Sequence, residues 1–152
     1  MLFTGQTEAT IDAKFRLAIP SKFRARWNPD TDGATWYCVP WPEDGVLRLY
    51  TEKWFESAAL KREETLTPAQ DAANLESTFF GNTEQLDVDA NFRVRLPTWH
   101  LELIKLPREV MVIGAGNRLE VRSRELWLAT QQSRFQEMRS QVARQESRSH
   151  GQ

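Results

Sequence analysis

The stretch DAKFRLAIP at residues 12–20 recurs as DANFRVRLP at residues 89–97. The two stretches align without a gap at an offset of 77 residues, and five of their nine positions are identical. The same offset pairs Phe3 with Phe80 and Ile11 with Val88, so the apolar frame extends upstream of both stretches. A shared frame of this length predicts two copies of one supersecondary unit in the chain.

Each copy is followed by a pattern typical of a β-hairpin. In the first copy, an apolar run at residues 36–39 precedes the turn residues 42–45 and a second run at 46–50. In the second copy, residues 110–121 repeat this order around the turn residues 114–117. Turn-forming residues between β-branched and aromatic runs indicate hairpins. Thr51 and Ser123 come next and are candidate N-caps of helices.

The clearest helix signal lies between the copies. Thr67, Pro68 and Gln70 have the spacing of an N-cap, a proline at the first helical position and a capping-box glutamine. Gly81 stands where a C-cap glycine would end this helix. The spacing therefore predicts a helix that begins directly after Thr67 and ends before Gly81.

We expect a mixed α+β chain, with two β-rich swapped-hairpin repeats joined by a helical segment and followed by a long C-terminal helix. The last helix is predicted from Arg124 to about Arg144, with a frayed tail after it because apolar periodicity stops there. The predicted divisions are a first repeat at 6–53, a helical connector at 54–82, a second repeat at 83–126, and the C-terminal helix and tail at 127–152.

Composition limits the function classes. Hydrophobic residues make up 40% of the 152 residues, enough for a core, and no run approaches the roughly 18 apolar residues of a membrane span. The N-terminal sequence lacks the pattern of a signal peptide, so we expect a cytoplasmic protein without a membrane partner. One cysteine, Cys38, and two histidines make a structural zinc site very improbable, and Cys38 is predicted to be a buried strand thiol.

Charge is segregated although the net charge is only −1. Residues 28–90 carry a net charge of −9, whereas residues 1–27, 91–117 and 118–152 carry +3, +2 and +3. Separate basic segments are compatible with an anionic partner, although such runs are often only solvated faces.

The repeated stretch places an aspartate and an arginine four residues apart. Strand alternation directs Leu17 and Ile19 to one face and Arg16 to the other, and Arg93 and Arg95 likewise share a face. An arginine held by the preceding aspartate presents a fork that suits phosphate or guanine. The competing interpretation is a structural ion pair that closes a turn.

These residues resemble the MraZ transcriptional regulators, a family similar in fold to the swapped-hairpin DNA-binding domains of the AbrB type. The resemblance covers about residues 1–145 and rests on MLFTG at 1–5, both repeated stretches, Gly81 and the late segment ELW at 125–127. It implies a ring-shaped homo-oligomer associated with the nucleoid, whose loops bind short repeated boxes of double-stranded DNA upstream of cell-division and cell-wall genes. The resemblance makes Arg16 and Arg93 the principal DNA contacts, with Lys14 beside Arg16 and with Asp12 and Asp89 orienting the loops. The candidate DNA-binding residues added to these are Lys22, Arg24, Asn91 and Arg95.

The chain departs from that family at Phe15 and Phe92, where the family usually has glycine. Glycine permits a positive φ and close approach to DNA, which phenylalanine does not allow cheaply. Either the loops adopt a different turn, or the two rings pack inward or against a partner. Asn91 also replaces the basic residue that the first copy has as Lys14, so the two loops are not equivalent.

The remaining candidates have competing structural explanations. Lys22, Arg24 and Arg26 either extend the basic surface beside Arg16 or solvate a connector. Trp36, Tyr37 and Trp41 favour packing over stacking on bases. We expect no cofactor, metal or enzymatic activity, since His100 is the single histidine of the predicted folded region and no nucleophile motif is present. The alternative to a DNA-binding regulator is an oligomeric protein-interaction module that kept the fold and lost DNA reading.

Overall fold

The chain forms two antiparallel β-sheets surrounded by helices in the computed structural model, which describes residues 1–43, 45–62 and 64–151. The strands of these residues are β1 (Gln6–Thr10), β2 (Arg16–Ala18), β3 (Trp36–Trp41), β4 (Val46–Thr51), β5 (Glu84–Leu86), β6 (Arg93–Arg95), β7 (Glu109–Gly114) and β8 (Leu119–Ser123). The helices are α1 (Ser21–Arg24), α2 (Pro29–Asp32), α3 (Glu52–Leu60), α4 (Gln70–Asn82), α5 (Thr98–Ile104), α6 (Arg124–Ala129) and α7 (Gln131–His150). The expected mixed α+β class, with antiparallel sheets and a long C-terminal helix, is confirmed.

The larger sheet has six strands in the order β1-β7-β8-β4-β3-β5. Both predicted hairpins are present, β3 with β4 and β7 with β8, and β4 pairs with β8 at the centre. Each hairpin is flanked by a strand from the other half of the chain, because β1 pairs with β7 and β5 with β3. When β1, β3 and β4 of the first half are matched with β5, β7 and β8 of the second half, the matched strands therefore follow in the same order from either edge of the sheet. Asp44 of the first predicted turn and Gln152 of the predicted tail lie outside the described residues.

The main core fills the space between the larger sheet and a two-stranded sheet formed by β2 and β6. Alternate side chains of a strand point to one face, so Leu47 and Leu49 of β4 enter this core together with Leu17 of β2 and Val94 of β6. Trp36 is fully buried, as the packing interpretation predicted. The predicted buried strand thiol is also confirmed at Cys38, where burial raises the pKa of the thiol.

A second apolar cluster lies on the opposite face of the larger sheet. Tyr50 and Val39 of the sheet pack there with Phe55 of α3, which is joined by Phe79 and Phe80 at the end of α4. The Tyr50 and Trp54 rings stack at a centroid distance of 5.2 Å. Helices α3 and α4 are thus held mainly by aromatic contacts.

The predicted ends of the connector helix are wrong. Helix α4 begins at Gln70, with Ala69 in the cap position and no side-chain cap hydrogen bond. A cap contributes only about 1 kcal/mol, and the preceding exposed segment has no apolar face to pack. Gly81 lies inside the helix, which continues to Asn82 and leaves through extended backbone at Thr83, directly into β5.

The C-terminal helix also differs from its predicted bounds. It is divided at Thr130 into α6 and α7, and α7 continues to His150, through most of the segment predicted as a frayed tail. The tail contains glutamine, arginine and glutamate, which favour helix without any apolar stripe. Ser123 caps α6 by accepting a hydrogen bond from the Leu126 amide, as predicted, whereas Thr51 precedes α3 without a side-chain cap. Among the helices of the described residues, none is both long enough and apolar enough to span a bilayer.

Candidate nucleic-acid interface

The loop before β2 is organised by one carboxylate. The Asp12 Oδ1 atom accepts hydrogen bonds from the Lys14 amide at 2.9 Å and from the Arg16 amide at 2.8 Å. Its Oδ2 atom accepts the Arg16 Nε–H at 2.8 Å. The backbone closes the same turn, because the Phe15 amide donates to the Asp12 carbonyl at 3.0 Å. A single side chain therefore fixes both the turn and the arginine.

The loop before β6 repeats this arrangement. Asp89 Oδ1 accepts the Asn91 and Arg93 amides at 2.9 Å, and its Oδ2 accepts the Arg93 Nε–H at 2.9 Å. The Phe92 amide donates to the Asp89 carbonyl at 3.0 Å. Each of these distances matches its counterpart in the first loop within 0.1 Å.

Both aspartates are stabilised in the ionised form. The pKa of Asp12 is lowered chiefly by the hydrogen bond from the Arg16 amide, and that of Asp89 chiefly by the Arg93 amide. Hydrogen bonds to a carboxylate favour its charged state, and the neighbouring guanidinium acts in the same direction. Asp12 and Asp89 are therefore ionised at neutral pH.

Phe15 and Phe92 occupy the left-handed region, with φ of 63° and 58°. Of the alternatives left open for these positions, a different turn is excluded, since both loops keep the backbone that glycine would favour. An L-residue in this region costs about 1–2 kcal/mol, so the surrounding hydrogen bonds must hold it there. The Arg108 guanidinium lies 5.7 Å from the centre of the Phe15 ring, and that of Arg24 lies 4.3 Å from the centre of the Phe92 ring.

The two loops lie at opposite ends of the two-stranded sheet of β2 and β6, which forms a short ribbon. Strands β2 and β6 pair antiparallel, with Leu17 opposite Val94 at the centre and both side chains buried. The Leu96 amide donates to the Phe15 carbonyl at 2.8 Å, and the Ile19 amide donates to the Phe92 carbonyl at 2.9 Å. The outer face of this ribbon carries the remaining residues of β2 and β6, namely Arg16, Ala18, Arg93 and Arg95.

The structure distributes the other candidate residues around this ribbon. Lys14 and Asn91 are exposed in their loops, and Arg95 is exposed directly opposite Arg16. Arg24 lies against the loop of Arg93, because α1 follows the end of β2 that adjoins Phe92. Of the two alternatives for this residue, an extension of the basic surface beside Arg16 is therefore excluded. Lys22 points towards β1, with its Nζ atom 3.5 Å from the Gln6 carbonyl oxygen.

Sequence reasoning missed Arg108. It precedes β7 and is joined to the first loop by a hydrogen bond of 2.9 Å from the Ile11 amide to the Arg108 carbonyl. Nothing in its local sequence indicates this position, because the pairing of β1 with β7 brings the two segments together.

This arrangement is suited to recognition of anions. Within the described residues, the Nη atoms of Arg16 and Arg93 have no hydrogen-bond partner, since the aspartates take only the Nε–H. The two Nη groups of an arginine can bind a phosphate or the O6 and N7 atoms of guanine. Orientation by the aspartate reduces the side-chain entropy that such binding would lose.

His100 lies in the core and away from these loops. Its Nε2 atom is 2.6 Å from the Asn82 carbonyl oxygen, and its Nδ1 atom is 3.4 Å from Cys38 Sγ. Because a carbonyl only accepts, Nε2 donates and Nδ1 accepts the thiol proton in the neutral ring. Desolvation lowers the pKa of His100, and its contacts explain a packing role for this histidine.

Comparison with known proteins gives consistent similarities. A family model described as "MraZ protein, putative antitoxin-like" matches residues 79–148. The Transcriptional regulator MraZ of Legionella pneumophila (strain Corby) is 32% identical over 126 residues, which cover 83% of this chain and 82% of that protein. Proteins of the same name from Carboxydothermus hydrogenoformans and Alcanivorax borkumensis are 31% and 30% identical over 126 residues, covering 83% of this chain and 84% and 86% of their own lengths.

Proposed function

The chain belongs to the MraZ family, and from that premise we propose that it is a transcriptional regulator that binds double-stranded DNA through its two Asp–Arg loops. Its relatives carry the name of transcriptional regulators. We further propose that it acts in the cytoplasm, at the nucleoid, on short repeated boxes upstream of its own operon of cell-division and cell-wall genes. It works by binding, without catalysis or a cofactor.

The observation that carries the proposal is the identical construction of the two loops. In each, an ionised aspartate holds the arginine through Nε and leaves both Nη groups available. A structural ion pair would need only the contact between the two side chains. Here Asp12 also receives two amides, which fixes the direction of the Arg16 fork before any ligand binds.

The charge of the surrounding surface supports an anionic partner. Lys14 and Arg95 are exposed at the end of the ribbon that carries the Arg16 fork, and Arg24 lies at the second loop. Each cation that neutralises a phosphate releases about one counterion, so binding to DNA should weaken steeply with added salt.

We propose that the protein assembles with copies of itself, in the ring that its family resemblance implies. Helix α7 carries an unpaired apolar stripe, in which Phe135 and Met138 are 59% and 58% exposed and Val142 follows one turn later. The acceptor we propose is the groove of about 440 Å³ beside α3 and α4, where Leu75 is 68% exposed. The charges are complementary, since residues 118–152 carry +3 and residues 28–90 carry −9.

The division into repeats at 6–53 and 83–126, with a connector at 54–82 and a C-terminal part at 127–152, belongs to the same proposal. The order of strands in the larger sheet supports this division, because the matched strands of the two halves follow in the same order from either edge. In an oligomer, several loops would face neighbouring boxes, so that modest single contacts add through multivalency.

Fluorescence anisotropy tests the proposal with wild-type protein and the Arg16→Ala and Arg93→Ala variants. The probes are a duplex from upstream of the chain's own gene and a scrambled duplex, both over a salt series. We expect selective, salt-sensitive binding by the wild type and its loss in Arg16→Ala, with Arg93→Ala reporting on the second loop. Equal and weak binding of both duplexes, unchanged by either substitution, would refute the proposal.

Asp12→Asn separates the turn from the orientation of the arginine. The amide oxygen can still accept the two backbone N–H groups, whereas its NH₂ group faces the Arg16 Nε–H and repels it. We expect selective DNA binding to weaken by about two- to tenfold, the equivalent of ordering one long side chain. Asp87→Asn, an exposed position two residues before the second loop, is the matched control for charge. Equal affinities of the two variants would contradict an orienting role for Asp12.

The second candidate function is a protein-interaction module that has lost DNA reading. The observation that favours it is the same groove, because Trp54, Phe55 and Phe79 give it an aromatic lining of the kind that protein partners contact. Selective DNA binding in the anisotropy assay would exclude it as the sole function.

A further inference from the structure

The two loops are equal in backbone but differ in the charges around them. The offset of 77 residues relates Lys14 to Asn91 and Ala18 to Arg95. Leu17 and Val94, which the same offset relates, face each other at the centre of the ribbon. An approximate two-fold axis through this pair therefore exchanges the two ends of the ribbon.

The pairing register gathers the unmatched cations at one end. Arg95 lies opposite Arg16, whereas Arg93 lies opposite Ala18. Lys14 belongs to the loop of Arg16, where the other loop has the neutral Asn91. The first-loop end of the ribbon face thus presents three cations, and the second-loop end presents one.

The cations of α1, Lys22 and Arg24, do not remove this difference in positive charge between the two ends. Lys22 Nζ is 3.5 Å from the Gln6 carbonyl oxygen and 5.6 Å from the centre of the Phe23 ring. Arg24 lies over the Phe92 ring and adds one cation near the second loop. On the other side, Arg108 is exposed and adds a further cation near the first loop.

We propose that each protomer prefers one of the two orientations on its DNA box, and that Lys14 and Arg95 set this preference. The inference rests on the proposed DNA binding. A ribbon with two equivalent ends would bind a box equally well in both directions, since the two-fold axis exchanges Arg16 and Arg93. Additional cations at one end favour the direction that places them on the phosphates or guanines of one side of the box. We expect a preference of about tenfold or more between the two orientations.

The chain offers a matched pair of sites for measuring the orientation. Ser21 and Thr98 are related by the same offset, are both exposed, and flank opposite ends of the ribbon. Ser21 follows the segment bonded to Phe92, and Thr98 follows the segment bonded to Phe15. Cys38 is buried, so a thiol-reactive iron–EDTA label attaches selectively to a cysteine introduced at either site.

The experiment is affinity cleavage of a duplex that contains one asymmetric box, selected from a randomised pool by the full-length protein. The Ser21→Cys conjugate should cut on one side of the box and the Thr98→Cys conjugate on the other. Labelling conditions applied to the wild type give the background. Equal cutting on both sides by each conjugate, with selective binding intact, would overturn the proposed orientation and leave the proposed function standing.

An exchange variant then tests the residues assigned to the effect. It combines Lys14→Asn with Asn91→Lys and Ala18→Arg with Arg95→Ala, so the net charge is unchanged. We expect the cleavage patterns of the two conjugates to interchange while the salt dependence of binding stays the same. Patterns that keep the wild-type sides would overturn the assignment to Lys14 and Arg95. If the wild type shows no selective DNA binding, the proposed function and this inference are overturned together.

Discussion

Replacement of Phe92 measures the backbone energy held in the second loop. Phe92 has a φ of 58°, and its side chain is 40% exposed. Alanine and glycine both remove the ring, so their comparison leaves the backbone as the difference. We expect Phe92→Gly to be more stable than Phe92→Ala, the reverse of the usual order in strands and helices.

The magnitude follows from two opposing terms. An L-residue in the left-handed region costs about 1–2 kcal/mol, from which glycine is free. Relative to alanine, glycine lowers the free energy of unfolding by about 0.4–1 kcal/mol, because its unfolded chain has greater conformational freedom. The balance favours Phe92→Gly by about 0.8 kcal/mol, which is about a fourfold change in the ratio of folded to unfolded protein.

Both variants should be less stable than the wild type. The ring loses its partial burial, and its contact with the Arg24 guanidinium at 4.3 Å contributes about 0.5–1 kcal/mol at an exposed site. We therefore expect Phe92→Ala to lower the free energy of unfolding by about 1.5–2 kcal/mol. Phe92→Gly should lower it by about half as much.

Urea unfolding followed by tryptophan fluorescence provides the assay, since Trp36 and Trp27 lie in the core. All variants are compared at one protein concentration, because self-association changes the apparent stability. Ala18→Gly, on the exposed face of the same ribbon, is the control and should be destabilising by about 0.5–1 kcal/mol. An alanine variant at position 92 as stable as the glycine variant, with the control behaving as expected, would refute the reasoning.

Two further predictions concern His100 and α7. Because burial lowers the pKa of His100 below its ordinary 6.5, its neutral form contributes stability that is complete above pH 6.5 and is lost as the pH falls below it. The melting temperature should fall with pH below 6.5 in the wild type and in His150→Gln, and this fall should be absent in His100→Gln. A fall of the same size in His100→Gln would contradict the prediction. Phe135→Glu should dissociate the proposed oligomer in sedimentation velocity, whereas Ser140→Glu, on the opposite side of α7, should not; equal behaviour of the two would place the interface elsewhere.

Local sequence was least reliable at the ends of helices. Thr67 and Pro68 form a good cap signal, yet α4 begins at Gln70 because the preceding turn has nothing to pack against. Gly81 is compatible with a left-handed C-cap but does not require one, and the chain enters β5 through extended backbone instead. Such boundaries are set by the neighbouring element, which the local pattern does not contain.

The features of this protein that depend on short-range chemistry can be read from its amino-acid sequence. The four-residue spacing of Asp12 and Arg16, and of Asp89 and Arg93, is enough for a carboxylate to cap a turn and reach its arginine. The alternation of apolar residues fixes which faces of the strands are buried, because side chains of a strand point alternately to its two faces.

The way in which these features are combined depends on contacts between distant segments. The antiparallel register places Arg95 opposite Arg16, and the pairing of β1 with β7 brings Arg108 to the first loop. The left-handed backbone of Phe15 also depends on partners from a distance, including the Leu96 amide that its carbonyl binds. These contacts join segments far apart in the chain, so their geometry depends on the packing of the whole core and not on local sequence.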